Sequence, residues 1–335
     1  MAEARLNITF AGPLVSLQDA GRFGGLRYGV SPSGPMDRLA FAAAHAALDN
    51  PLGATAIEVS LGGLSLTCQG MAVTVAVTGG NFSIDHNGQK STGWQVITLQ
   101  PDDKLNLKAG AYGSWAYVAV AGDIAASKWM GSTARHSKTN LGSAPITSGS
   151  VLVVANPQVL DNRIGAIPMP TSTLTDKIRV VLGPQDRYFE PSSVTEFLSK
   201  PYIVAPANDR MGMRLDGATL RLDEAVSIPS EPILRGCVQV SGDGIPTVLL
   251  ADHQSTGGYP KVATVVSNDT DVLSQRRGGD KVQFEAISPS DAVMLARETA
   301  RKRQRYLDEV NVARGTLEQR LMSENLIHGH TEGEF

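Results

Sequence analysis

The chain has 335 residues, 42% of them hydrophobic and 19% charged, a balance that excludes an intrinsically disordered protein. Its formal net charge of −3 excludes the dense basic face of a dedicated nucleic-acid binder. Cys68 and Cys237 stand far apart and outside any C-x-x-C spacing, which argues against a disulfide framework or a cysteine-based zinc site and for a cytoplasmic protein.

In chain order, Met1 to Ile8 lacks the apolar core of a signal peptide, and no apolar run reaches the ~18 residues of a membrane span. A helix is predicted from Met36 to Leu48, with Met36, Leu39, Ala43 and Ala47 on one face and Asp49-Asn50-Pro51 as its stop. Val73, Val75 and Val77 alternate with Thr74, Ala76 and Thr78, the pattern of a strand buried on one face. Ile178, Val180 and Leu182 repeat that pattern, as do Val282, Phe284 and Ala286. Ser193 with Glu196 reads as a capping box ahead of Phe197 and Leu198. Thr247 to Ala251 is a continuous apolar run suited to a central strand. Asn268 or Asp269 is placed to cap a short helix ending at Gly278-Gly279. Ser288-Pro289-Ser290-Asp291 opens a last helix that runs to about Val312, with Arg301, Lys302, Arg303 and Arg305 on a solvated face. Residues 323–335 lack periodicity and are expected to fray. The resulting division is an N-terminal β-rich lobe (1–155), a linker (156–177), a C-terminal lobe (178–288) and a helix with tail (289–335). With 34 glycines the whole reads as turn-rich and mainly β.

Four segments are too dense in Gly, Pro and charge for ordinary elements: Gln18 to Gly25 continuing through Gly29 to Arg38, Gly183-Pro184-Gln185-Asp186, Asn208 to Gly217, and Ala251 to Lys261. In the last, Gly257-Gly258 permits positive φ and close approach of a ligand to exposed amides, while Ser255, Thr256, Lys261 and His253 add hydroxyls, a cation and an imidazole. That combination suits phosphate or carboxylate recognition; a plain turn is the competing reading. Asp209-Arg210 is either a local brace or a catalytic pair. Asp19 precedes a Gly-rich turn that an aspartate commonly caps. His45 falls in the Ala-rich helix as a surface or packing residue, and His86, His136, His328 and His330 show no metal spacing, so no metal site is expected.

These segments together resemble the biotin-dependent carboxyltransferase family, also called allophanate hydrolase subunit 2 or kinase-inhibitor antagonist. The resemblance rests on Leu17 to Arg22, Gly29 to Asp37, Glu58 to Gly63, Gly183 to Asp186, Asp209-Arg210-Met211-Gly212 with Arg214-Leu215, and Gln254 with Gly257-Gly258-Tyr259-Pro260, in order over residues 10–287. It implies cyclophilin-like β-barrel lobes with few helices. It also implies a role as the C-type subunit of an ATP-dependent 5-oxoprolinase, working with a kinase-inhibitor-like B subunit and an A subunit on a small amide and using ATP with Mg. The family's urea carboxylase version implies carboxyl transfer from biotin to urea, and its antagonist version a non-catalytic hold on the B-type partner. The polar stretch Gly131 to Gly142 and His253 depart from the family pattern.

The sequence carries no G-x-S-x-G elbow, no G-x-x-x-x-G-K-[ST] loop and no Met-Lys-Met biotin acceptor. It is therefore expected to open a cyclic amide only with partners. Asp209, Arg210 and Lys261 are the catalytic candidates: Arg210, Lys261 and the Gly257-Gly258 amides to hold phosphoryl charge, Asp209 to orient Arg210 or act as base. Gln185 and Gln254 are expected to bond the substrate amide, with Asp186, His253, Thr256 and Tyr259 lining its site.

Overall fold

A computed structural model describes residues 3–170, 177–183, 185–222, 228–313 and 315. Among them, strands dominate. Two sheets stack to form the first lobe. One has seven strands in the order Asp123–Ile124, Val151–Ala155, Glu3–Ala11, Leu64–Gly70, Lys104–Ala109, Phe82–His86 and Gln89–Thr92. The other has six: Gly165–Ala166, Gln95–Leu99, Val73–Gly79, Trp115–Val120, Ala56–Ser60 and Ser16–Gln18. Alternating residues such as Leu6, Ile8, Leu64 and Leu66 from one sheet meet Val75, Val77, Ile57 and Val118 from the other, the interdigitation expected of stacked sheets.

The alternation at Val73 to Thr78 predicts one wet face, yet both faces are buried. The reason is helix α1 (Arg38–Ala47), which lies across the outer face of the six-stranded sheet and is itself almost wholly buried. Thr78 donates to Ala40 O at 2.7 Å, so the polar residues of that strand are bonded inside the packing. His45 is likewise buried. Helix α1 begins two residues later than the apolar pattern suggests, because Asp37 caps it, accepting from Leu39 N at 3.1 Å and Ala40 N at 2.9 Å.

The second lobe is a closed barrel of seven strands: Lys177–Leu182, Lys261–Val265, Cys237–Val240, Pro246–Leu249, Gly212–Asp216, Tyr202–Asn208 and Lys281–Ala286. It closes through parallel pairing of the barrel's own first and last strands in chain order, Ile178 opposite Phe284. The barrel is therefore one lobe, and the first lobe is a sandwich. Helix α2 (Pro191–Ser199) sets Phe197 on Phe284, ring centroids 4.5 Å apart. Its start is Pro191 at the first turn with no side-chain cap, so the expected capping box does not form. Ser193 instead accepts from Arg221 N at 3.1 Å. Helix α3 (Ser267–Ser274) also lacks a side-chain cap. Asp269 is taken by Arg179, which reaches it through Nε at 2.9 Å and Nη2 at 2.6 Å.

Helix α4 (Pro289–Val310) starts as expected, with Ser288 accepting from Asp291 N at 3.1 Å. It then returns to the first lobe. Leu307 and Val310 bury against the α1 layer, and Arg303 donates to Arg38 O at 3.2 Å, so the basic face is partly engaged. Residues 323–335 lie outside the described part. Between 156 and 177 the described residues include Gly165–Ala166, paired to Gln95–Leu99 of the first lobe.

The lobes share a polar seam. Gln275, just past α3, accepts from Ser114 N at 2.8 Å and Trp115 N at 3.0 Å, and donates to Asp37 Oδ2 at 2.8 Å. Burial, reinforced by nearby Asp271, pushes the Asp37 carboxyl up to about 6. Its folded value thus exceeds the unfolded value of about 4, and the unfolded chain releases this proton first as pH rises. Asp37 therefore contributes stability that is present below pH ~4 and lost between about 4 and 6. Asp37→Asn, which retains the cap, is expected to flatten that limb of the stability curve. Urea midpoints of the two proteins across the interval check it.

Candidate functional site in the cleft between the lobes

The centre of the seam is Arg210, in the turn before strand Gly212–Asp216 and 1% exposed. It grips Asp252 with two bonds, Nε to Oδ2 at 2.9 Å and Nη2 to Oδ1 at 3.0 Å. Its Nη1 meets Glu58 of the first lobe, and Nη2 also donates to Gly34 O at 2.7 Å. Glu58 in turn accepts from Met36 N at 2.8 Å and from the Tyr117 hydroxyl at 2.9 Å. Burial alone would depress the arginine, but Asp252 and Glu58 hold it charged, above its usual range. Burial would raise Asp252; Arg210 and the Ser137 amide, at 2.8 Å, keep its carboxyl below the ordinary value.

The stretch from Gly131 to Ser143 straps the cleft. Asp19 does cap its own turn, accepting from Gly21 N at 2.9 Å, but it also accepts from Ser132 Oγ at 2.6 Å, Thr133 N at 2.7 Å and Thr133 Oγ1 at 3.1 Å. Further along, Lys138 Nζ reaches Asp209 of the second lobe at 2.8 Å. This polar stretch thus bonds to both lobes. Beside it lies a cavity of about 480 Å³, lined by Gly12 to Ser16, Arg135, Ser137, Pro145 to Ser148 and Arg210. Gly12 crosses Gly62 so closely that a Cβ would stand 2.5 Å from its backbone, which fixes glycine at both.

The candidates chosen from sequence divide into two groups. Asp209 and Arg210 lie at the cleft but do not pair: Asp209 accepts from Met211 N at 2.8 Å and faces Lys138. Arg210 has bonds from all three nitrogens committed to Glu58, Asp252 and Gly34, so it is a framework residue and not a free phosphoryl ligand. His253 joins this group. It is buried, and Nδ1 sits 2.6 Å from Gln254 O, so Nδ1 carries the proton and Nε2 the lone pair. Burial lowers its pKa, which keeps the ring neutral.

The second group lies on the barrel wall. Lys261 Nζ is 3.2 Å from Glu231, whose carboxylate also accepts from Gln185 Nε2 at 2.6 Å, while Gln185 Oε1 accepts from Lys261 N at 3.0 Å. Thr256–Gly257 pairs with Glu231–Pro232 as a two-stranded ribbon over this trio. Neither Gly257 nor Gly258 has positive φ, so the expected anion-binding nest is not formed. A Cβ at 257 would stand 2.7 Å from Gln239 Nε2, the far end of a side chain that would have to move aside. Gln254, Thr256 and Tyr259 are exposed, and Asp186 is half-buried beside Gln185. Pro184 lies outside the described residues.

Sequence reasoning misses Asp252, Arg135 and Ser137, and values Glu58 only through its motif. Their importance comes from partners distant in the chain. Among the described residues no three carboxylate, imidazole or thiol groups converge as metal ligands, and no helix is long and apolar enough to cross a membrane.

Residues 28–286 match the family described as carboxyltransferase domain, subdomain A and B. The chain is 32% identical over 298 residues to the C subunit of 5-oxoprolinase from Haemophilus influenzae, covering 88% of this chain and 94% of that one. It is 30% identical over 311 residues to the C subunit of 5-oxoprolinase from Escherichia coli, covering 91% and 97%. Its fold superposes on the crystal structure of Kluyveromyces lactis urea amidolyase with a TM-score of 0.82 at 25% identity, over 90% of this chain but 20% of that one.

Proposed function

The chain belongs to the carboxyltransferase domain, subdomain A and B, family, and from that premise we propose that it is the C-type subunit of an ATP-dependent complex that opens 5-oxoproline to glutamate. The observation that carries this reading is its similarity, end to end, to two proteins named as the C subunit of 5-oxoprolinase. The cleft supports it. A cavity of about 480 Å³ suits a compact amide, and it is bordered by a strap that spans both lobes. In the complex, ATP would supply the activation, by phosphoryl transfer to the lactam oxygen with release of ADP; one water would then open the C–N bond and a second would displace phosphate to leave the free carboxylate. Arg210, bonded to Glu58, Asp252 and Gly34, is not free to meet a nucleotide phosphate. We assign the nucleotide to a partner, an A-type or kinase-inhibitor-like B-type subunit, and substrate binding and orientation to this chain, in the cytoplasm.

On the barrel wall Lys261 keeps spare capacity, since among the described residues one of its three N–H groups is bonded, to Glu231. Lys261→Met is expected to lower turnover of the reconstituted complex about tenfold, the scale of one charge-assisted bond. The test is ATP hydrolysis by the co-purified complex with 5-oxoproline against urea. Stimulation by 5-oxoproline supports the reading; no stimulation by any lactam sinks it. Carboxyl transfer from biotin to urea is the second reading, favoured by the fold match to urea amidolyase. Avidin-sensitive carboxylation of urea would select it.

A further inference from the structure

We propose that the cavity beside Arg210 is a carboxylate-binding pocket, with Arg135 as the residue that holds the carboxylate and Ser137 as its second donor. The proposal rests on the reading of this cleft as the substrate site and names the chemistry that the site selects.

Arg135 lines the cavity, is half-buried, and makes one described side-chain bond, from Nη1 to Ser143 O at 2.8 Å. No carboxylate among the described residues pairs with it, in contrast to Arg38, Arg179, Arg210 and Arg235. That one bond fixes the guanidinium and leaves most of its five N–H groups for a ligand. Ser137 also lines the cavity, and its hydroxyl oxygen is buried without a partner, a costly state that rotation toward a bound acceptor would relieve. The two residues are held at fixed stations. The Ser137 amide is bonded to Asp252 at 2.8 Å, and the Arg135 amide donates to Leu17 O at 3.0 Å. The opposite wall is apolar, from Ala11, Pro13, Leu14, Val15 and Ile146. Leu14, in a turn, adopts φ 64°, a left-handed conformation that costs a leucine free energy.

One unpaired guanidinium, one hydroxyl and an apolar wall describe a small monocarboxylate with a compact hydrocarbon body. A phosphate dianion calls for more cationic donors than this pocket has free. Arg210, on the floor, is already neutralised by Glu58 and Asp252. A cyclic amide bearing a carboxylate meets the description; urea, which has none, does not.

The test is calorimetric titration of the full chain with four probes: 5-oxoproline, cyclopentanecarboxylate (carboxylate, no amide), 2-pyrrolidinone (amide, no carboxylate) and inorganic phosphate. The two carboxylates are expected to bind within a few-fold of each other, and 2-pyrrolidinone and phosphate roughly tenfold or more weaker. Arg135→Met is expected to abolish the preference for a carboxylate, Arg135→Lys to retain part of it, and Ser137→Ala to weaken both carboxylates alike. Equal binding of 2-pyrrolidinone and 5-oxoproline by the wild-type chain would overturn the pocket, a result that requires no variant to fold. So would a preference for phosphate, or an unchanged preference in Arg135→Met. If the carboxylates bind as described but the complex does not hydrolyse 5-oxoproline, the pocket stands and the assigned reaction fails. If the complex turns over 5-oxoproline without carboxylate preference, the reverse holds.

Discussion

Arg210→Met is expected to destabilise the protein by about 3–5 kcal/mol, the cost of removing one member of a buried ion cluster. Glu58 and Asp252 would then be two carboxylates in the interior, each 0% exposed, without a counter-charge. Tyr117 and the Met36 amide cannot compensate for a missing cation. The loss should appear as a lower urea midpoint and as separated unfolding of the two lobes, because Arg210 is bonded to both. It also carries a pH signature. Asp252 has a folded pKa below its unfolded value, so its share of stability is present above pH ~4 and lost as pH falls through the depressed value. In Arg210→Met that share disappears, and stability should no longer decline on the acid side for this reason. A midpoint unchanged within about 0.5 kcal/mol would refute the framework role. It would also return Arg210 to the list of groups free to meet a ligand.

Asp19→Ala is expected to reduce turnover of the assembled complex by about a hundredfold while costing far less stability than Arg210→Met. Its carboxylate takes four bonds, three of them from Ser132 and Thr133 at the head of the strap. Without it, the head of the strap loses three anchoring bonds and only Leu17 O and Asp252 hold Arg135 and Ser137, and a shift of about 1 Å at those residues suffices for a loss of that size. Limited proteolysis gives an independent readout, since the released strap should be cut between Gly131 and Gly142 in the variant and spared in the wild type. Full turnover in Asp19→Ala would show that the strap does not position the site. Asp19→Asn, which keeps an accepting oxygen for the Thr133 amide, should fall between the two.

The sequence exposes local devices and hides distant pairings. Ser288 as the cap of the last helix, Asp19 as a turn cap and the barrel strands around Ile178 and Val282 are all legible, because each depends on neighbours within a few residues. One wet face for Val73–Thr78 is a fair reading of alternation; the helix that covers it is set by tertiary packing. Ser193 and Glu196 form a capping-box pattern, but Pro191 starts the helix two residues earlier. At the site, adjacency misleads: Asp209 and Arg210 are neighbours in the chain and point to different partners. Arg210 finds its carboxylates 152 and 42 residues away, a separation at which no motif spacing is informative. Gly257-Gly258 has the composition of a loop for anions, and Gly257 is instead the edge of a two-stranded ribbon opposite Glu231. The family resemblance points to segments without saying which atoms in them are already engaged.

The link between Glu58 and Arg210 has a bearing on how the polypeptide is made. A ribosome completes the sheet that carries Glu58 long before it reaches codon 210, so the newborn first lobe holds an acid that has no cation to neutralise it. Until the barrel emerges, that acid must stay hydrated, and the strand around it cannot settle. The first lobe is thus expected to persist as an open, chaperone-accessible species during synthesis and to close only when the second half arrives. A fragment ending at residue 155 should accordingly be recovered as an expanded, protease-sensitive chain, and gain order when the remaining residues are supplied in trans.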